Sequence, residues 1–231
     1  MKQKSTLHIL LLGPPGCGKG TQARLLCKHF DIPQVSTGDM LRAAIAEGGE
    51  LGRRTEAIIN SGALVPDEII VTLVSDRIAG DDCRAGFLLD GFPRTVQQAE
   101  ALDRVNIVLS HVLIFEVDDE EIVKRITGRR IHPASGRTYH LISNPPRKPG
   151  IDDLSGEPLI RREDDNPDLA HKRLDVYRRQ TEPLLDFYKN KNRTEGRPDC
   201  VILDGTAGID TIHRHILDAL DQSSDAATAR P

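Results

Sequence analysis

The chain has no tryptophan, and with three tyrosines and five phenylalanines its aromatic content is only 3%. Stacking platforms of the kind that hold single-stranded nucleic acid are therefore scarce. The net charge of -4 at pH 7 gives no overall basic excess for a phosphate backbone. Cysteine is sparse as well. Cys17, Cys27, Cys83 and Cys200 form no C-x-x-C pair, which excludes the common zinc patterns and gives no reason to expect a disulfide. No apolar run approaches the roughly 18 residues of a membrane span. The N-terminal Met-Lys-Gln-Lys leads into a six-residue apolar run containing His8, too short for a secretion signal. These absences point to a cytoplasmic protein with no membrane and no nucleic acid as partner, and no internal repeat is visible.

What is present suits one sizeable domain with small insertions. The chain has 231 residues, 38% of them hydrophobic and 29% charged. Short apolar runs at 7–12, 86–90, 111–117 and 200–204 alternate with longer amphipathic stretches, and a shorter strand is expected near 33–35. The runs do not alternate polar with apolar, so they read as strands covered on both faces of a parallel sheet, in an α/β fold. Helices are expected over 19–30, 38–47, 50–60, 67–79, 95–104, 118–128, 167–190 and 208–220. In the long 167–190 stretch, Leu174, Tyr177, Thr181, Leu184 and Tyr188 share a face, and Pro183 should kink or divide it. Two stretches read as insertions, 36–65 with short helices and 128–165 with an irregular Pro, Gly, Ser and charge-rich composition. A long irregular loop in a compact domain is expected to be a functional lid. The polar tail 221–231 is expected to be disordered.

Five stretches carry chemistry. GPPGCGKGT, directly behind the first strand, has the G-x-x-x-x-G-K spacing of a phosphate-binding loop, with Gly13, Gly18 and Lys19 in place. Its glycines let backbone N–H groups close on phosphate oxygens, and the next helix starts at the anion. The usual hydroxyl ligand for magnesium is missing, because Gly20 stands where Ser or Thr is common. LLDGFPRT puts Asp90 at the carboxyl end of a buried strand, where open α/β sheets bind ligands, with Arg94 beyond Gly91 and Pro93. STGDMLR brings Arg42 from the first insertion. Arginine suits bidentate phosphate contact. KRITGRR and RREDD place Arg125, Arg129 and Arg162 at the two ends of the second insertion, where a closing flap would bring positive charge over a phosphate chain. Cys17 lies inside the loop, among its backbone N–H groups and beside Lys19.

With GPPGCGKGTQ, STGDMLR, LVPDEI, DGFPRT, GRRIHPASGRTYH, NPP, DDLSGE, RREDD and KRL in this order, the chain resembles adenylate kinase, in its bacterial long-lid form, from residue 7 to about 220. That resemblance implies a P-loop NTPase-type core over 1–35, 66–127 and 166–220, a monophosphate-binding insert over 36–65 and a lid over 128–165. It implies a monomer that transfers the γ-phosphoryl of ATP to AMP with Mg²⁺, giving two ADP. ATP would be held by Gly16, Cys17, Gly18, Lys19, Gly20 and Thr21, and by Arg129, Thr138, Tyr139 and Ala207. AMP would meet Thr37, Arg42, Ala63, Leu64, Val65, Gly91, Phe92, Pro93, Arg94 and Gln98. Arg94, Arg125, Arg162 and Arg173 would surround the transferring group together with Lys19, with Arg162 and Arg173 also reaching AMP. Mg²⁺ would be carried by phosphates and water, with Asp90 behind the water, and no protein side chain is expected to ligate a metal directly. Many relatives hold zinc on four lid cysteines. Here His132, Ser135, Asp152 and Ser155 stand in those places, so a hydrogen-bonded network is expected and no zinc. Ala207 also departs from the family, which often has lysine there. The rival readings are a kinase for UMP, CMP or GMP, a GTP-using relative, and a nucleotide-binding module without catalysis.

Overall fold

Leucine and isoleucine fill β1 (Leu7–Leu12), and β1 is the middle strand of a sheet whose two faces are both covered. Its side chains part by alternation: Leu10 and Leu12 enter one apolar cluster, Ile9 and Leu11 the other. β3 (Gly86–Asp90) and β4 (His111–Glu116) divide their residues in the same way, which is why these runs carry no polar alternation. The structure, a computed structural model, describes residues 6–228, and side chains as far as residue 221. With β2 (Gln34–Ser36) and β7 (Asp199–Asp204) the sheet has five parallel strands in the order β2-β3-β1-β4-β7.

One face is covered by α1 (Lys19–Phe30) and α9 (Ile209–Thr228), through Ala23, Leu26, Ile212 and Ile216. On the other lie α4 (Asp67–Ile78), α5 (Val96–Arg104) and α8 (Pro183–Glu195), through Val74, Leu102, Leu184 and Tyr188. The chain leaves β1 into α1 on one face and leaves β3 into α5 on the other, so the two connections diverge at the carboxyl edge shared by β1 and β3. Ligands of open α/β sheets bind at such a crevice. The backbone of α9 covers part of the tail expected to lack structure, and residues 229–231 lie outside the described residues.

The first insertion folds as α2 (Thr37–Glu47) and α3 (Glu50–Asn60). The second follows α6 (Asp119–Gly128) and is more regular than its composition suggests. β5 (Arg129–Ile131) pairs antiparallel with β6 (Thr138–His140), and Ile131 bridges to Ile160. Two turns in it are built alike: the Gly136 N–H donates to the His132 carbonyl, and the Gly156 N–H to the Asp152 carbonyl. In each, the first residue's N–H also bonds the carbonyl five positions on, at Arg137 and Glu157.

The long helix expected over 167–190 is divided. α7 (Pro167–Val176) passes through a wide π turn (Tyr177–Thr181) into α8, and the Glu182 N–H reaches the Tyr177 carbonyl five residues back at 2.9 Å. Pro183 explains it, since proline has no N–H for the carbonyl four residues back and its ring crowds that carbonyl.

Candidate active site

The loop between β1 and α1 is shaped by glycine. Gly16 has φ +81°, and a Cβ there would stand 2.7 Å from Ile126 Cγ1, so both backbone and space require glycine. α1 then begins behind Gly18 with no side-chain cap and no acid in its first turn. Three other helices are capped by a side chain: Ser36 accepts the Asp39 N–H, Thr95 the Gln98 N–H and Asn166 the Leu169 N–H, whereas α3, α4, α6 and α8 are not. An uncapped N-terminus keeps its orphan N–H groups and positive dipole end available to an anion. Lys19 adds an ammonium there, donating at 2.7 Å to the carbonyls of Gly13 and Pro14 and lying 3.4 Å from Cys17 Sγ.

Across the crevice, β3 ends at Asp90. A Cβ on Gly20 would lie 3.6 Å from Asp90 Oδ2, in ordinary contact, so the carboxylate stands beside the position where serine or threonine is common. Gln34 Nε2 donates to that same oxygen at 3.0 Å. Burial pushes the Asp90 carboxyl above its ordinary pKa; Lys19 opposes the shift, while Asp39 adds to it.

The turn after Asp90 is held from several sides. Thr37 Oγ1 donates to the Gly91 carbonyl at 2.8 Å, as does Arg94 Nε. The Arg94 N–H donates to Gln98 Oε1 at 2.7 Å, and Thr181 Oγ1 donates to the Arg94 carbonyl at 2.8 Å. Arg94 thus points into the crevice from a backbone fixed by three other elements.

Around it the arginines converge. Arg42 donates to Asp39 at 2.5 Å, and Arg162 stands 3.7 Å from the same carboxylate, tying the root of the second insertion to the first. Arg129 grips the fully buried Asp165 with two donors, and Arg173 donates to Asp164 at 2.8 Å. Burial first, then repulsion from Arg129 and Arg42, pushes the Arg162 pKa down to about 10. Arg173 also falls to about 10, chiefly through burial. Arg162 Nε is buried without a hydrogen-bond partner. Five arginines, Arg42, Arg94, Arg129, Arg162 and Arg173, share three ion-paired carboxylates among the described residues, Asp39, Asp164 and Asp165, so the cluster is short of negative charge. These residues and the loop line one cavity of about 710 Å³.

An uncapped phosphate loop facing an anion-poor arginine cluster is the architecture of phosphoryl transfer, and a family model described as adenylate kinase matches residues 11–193. The chain belongs to the adenylate kinase family. It is a phosphotransferase, a nucleoside monophosphate kinase.

In this adenylate kinase family member the cavity brings together most residues expected from the sequence. Gly16 to Thr21, Thr37, Arg42, Ala63 to Val65, Gly91, Pro93, Arg94, Gln98, Arg129, Thr138, Tyr139, Arg162, Arg173 and Ala207 all line it. Phe92 is absent from this lining: its side chain is 1% exposed and packs in the main apolar cluster. Three others line the cavity with their polar atoms committed to protein. Gln98 accepts from Arg94 and donates to Asp67 at 2.7 Å, so it braces the turn. The Tyr139 hydroxyl donates to Asp152 at 2.9 Å, away from the cavity. Arg125 stands apart from the other arginines, donating to the Gly205 carbonyl at 2.6 Å and to Glu121 at 2.8 Å.

Asp39, Asp164, Asp165 and Glu121 were missed as carboxylates that position arginines. Three of them sit inside motifs already singled out, where an acid one helical turn or a short hairpin from arginine was a readable signal. Arg24 was missed too, although it lies one turn beyond Gly20 on the same face of α1.

Asp90 fits a place near a magnesium ion, being a half-buried carboxylate at the cavity with no ion-pair partner among the described residues. The positions where many relatives carry zinc ligands form a polar network instead. His132 meets Ser135 at 2.7 Å, Ser155 at 3.2 Å and Glu157 at 2.5 Å. Asp152 accepts from Arg137 at 2.6 and 2.8 Å and from Ser155 at 2.9 Å. The Arg137 guanidinium bonded to it holds the Asp152 carboxyl far below the usual range.

Proposed function

We propose that the enzyme catalyses reversible, Mg²⁺-dependent transfer of the terminal phosphoryl of ATP to AMP, giving two ADP and so balancing the adenine nucleotides. The observation that carries this reading is the arginine cluster of Arg42, Arg94, Arg129, Arg162 and Arg173, five guanidiniums to three ion-paired carboxylates, in one cavity with the open N-terminus of α1. ATP phosphates in the loop would replace the Gly13 and Pro14 carbonyls as acceptors for Lys19, which then follows charge onto the transferring group. AMP would lie along the insert 36–65, with its phosphate between Arg42 and Arg94. The lid 128–165 would bring Arg129 onto ATP. Arg125, beside Gly205, belongs in this reading at the donor-base end, near the Ala207 carbonyl.

A magnesium ion bound with the nucleotide would be held by phosphate oxygens and by Asp90 through water, and would supply positive charge along the phosphate chain. No general base is needed, because the attacking phosphate oxygen is already anionic. Two anions must be brought together in line, and the arginines offset their repulsion and the equatorial charge of the transition state. The enzyme works in this reading as a cytoplasmic monomer on free nucleotides.

The test is a coupled assay of ADP formation from ATP with AMP, UMP, CMP or GMP, repeated with GTP as donor. AMP with ATP should exceed every other pair. Faster turnover with UMP or CMP would overturn the acceptor assignment, and faster turnover with GTP the donor.

A further inference from the structure

Arg24 lies on α1 four residues after Gly20, on the face that looks across to Asp90. It lines the same cavity as the phosphate loop, yet no carboxylate lies at ion-pair distance from it among the described residues. Its Nη1 instead donates to the Gly136 carbonyl, 112 residues away in the lid. That carbonyl belongs to the turn 132–137, where Gly136 has φ +65° and its N–H closes the turn onto His132. The turn is bonded to its twin at 152–157 through His132 with Glu157 and Ser155, and through Arg137 with Asp152. A pull on one carbonyl is therefore a pull on the whole lid. The charge of Arg24 is attracted by Asp39 in the insert and by Asp90 in the core, while Arg137 of the lid repels it. Arg137 is itself held by Asp152, which limits that repulsion.

We propose that Arg24 is a positioning residue: a latch from core to lid whose hydrogen bond to the Gly136 carbonyl exists only when the lid is down over the donor. The inference rests on reading 128–165 as the lid over the donor nucleotide. A carbonyl acceptor suits such a latch. It carries no full charge, so the bond favours closing without locking the lid, and product release still requires it to break. Losing it should weaken donor use more than it slows turnover, because the closed form becomes less populated while opening becomes easier.

The test uses Arg24→Ala and Arg24→Lys in the full chain, with dyes at the exposed Lys28 on α1 and Lys148 in the lid. In the nucleotide-free protein, energy transfer should fall in Arg24→Ala and fall less in Arg24→Lys. The KM for ATP should rise about tenfold, as for one hydrogen bond with a charged partner, while the dissociation constant of AMP alone stays within about twofold and kcat falls less than KM rises. Unchanged transfer in the folded variants would overturn the latch, and so would a shift in transfer with no change in the ATP KM, or equal losses for ATP and AMP. If Arg24→Ala does not fold, Arg24→Gln and Arg24→Lys carry the same comparison. If ATP were not the donor, the transfer measurement would still decide the latch, which separates its failure from that of the substrate assignment.

Discussion

The two insertions hang from one core but are held by opposite means. Leu41, Val65, Ile58 and Ile59 of the first join the main apolar cluster, so this insert shares the core of the molecule. Among the described residues, no side chain of 128–165 belongs to a buried apolar cluster, and its Ile142 and Leu154 are 85% and 78% exposed. Apart from Ile131, the buried residues of 128–160 are His132, Asp152 and Tyr139, bonded to one another directly or through the half-buried Arg137. Apolar burial is non-directional and extends into whatever it touches. A polar network is satisfied only within itself, so it can make a small body firm without gluing it to the core. On the proposed reading of 128–165 as a lid, this leaves the segment able to move as a unit.

The largest effect should come where the two insertions meet. Arg162, at the lid's root and beside Asp39 of the insert, should on replacement by alanine cost about 10³ in kcat, as for a positioned arginine in phosphoryl transfer. Single-turnover measurement of ADP formation checks this, and a loss below about tenfold in a folded variant would contradict it.

Next, the insertions should separate the substrates. Arg42→Ala should raise the KM for AMP by roughly ten- to a hundredfold, with ATP nearly unaffected, since a charge-assisted contact is lost on one side only. Arg129→Ala should instead weaken ATP use. If Arg42→Ala harmed both substrates equally while Arg129→Ala changed nothing, the two insertions would have to be reassigned.

Stability should divide along the same line. Leu41→Ala should lower global stability by about 2–4 kcal/mol, the usual cost of truncating a buried leucine, and so shift the urea midpoint. Asp152→Ala should leave that midpoint in place but abolish amide protection across 132–157. Hydrogen exchange resolves the two, and a large midpoint shift in Asp152→Ala would tie the lid to the core after all.

A smaller effect lies at His111 at the start of β4, where the core buries an imidazole with neither nitrogen bonded. Burial pushes its pKa down, Asp199 opposes this and Arg197 adds to it. The unfolded chain therefore takes up a proton that the folded one resists. His111 contributes its full stability above the ordinary imidazole value of about 6.5, and that contribution is lost as pH falls through the lower folded value. His111→Leu should flatten this part of the pH–stability curve; an identical acid slope in the variant would remove His111 as its source. No effect at all is expected from a strong zinc chelator with Mg²⁺ resupplied, and a tightly bound zinc found by elemental analysis would refute this.

The sheet was readable because strands buried on both faces must be apolar throughout, and the phosphate loop because its backbone demands glycine at fixed intervals. The arginines were readable as types, but Arg125 could not be told from Arg129 by spacing, since only the fold sends one to Gly205 and the other to Asp165. The inward turn of the Phe92 ring was not readable, because its neighbours in the motif, Gly91, Pro93 and Arg94, line the cavity. The lid's twin turns were hidden: they repeat a hydrogen-bond pattern across different residues, and Ser-Gly is nearly all they share.

The wide turn at Tyr177–Thr181 also sets a rotational phase. Each residue of an α-helix advances its side chain by about 100° around the axis. The extra residue accommodated before Pro183 lets α7 and α8 be indexed separately, α7 to aim Arg173 at the cavity and α8 to bury Leu184 and Tyr188. A continuous helix of the same sequence would have to give up one of these alignments. Thr181, the last residue of the turn, holds the Arg94 carbonyl, so the phase of one helix is fixed by the same bond that steadies the turn opposite.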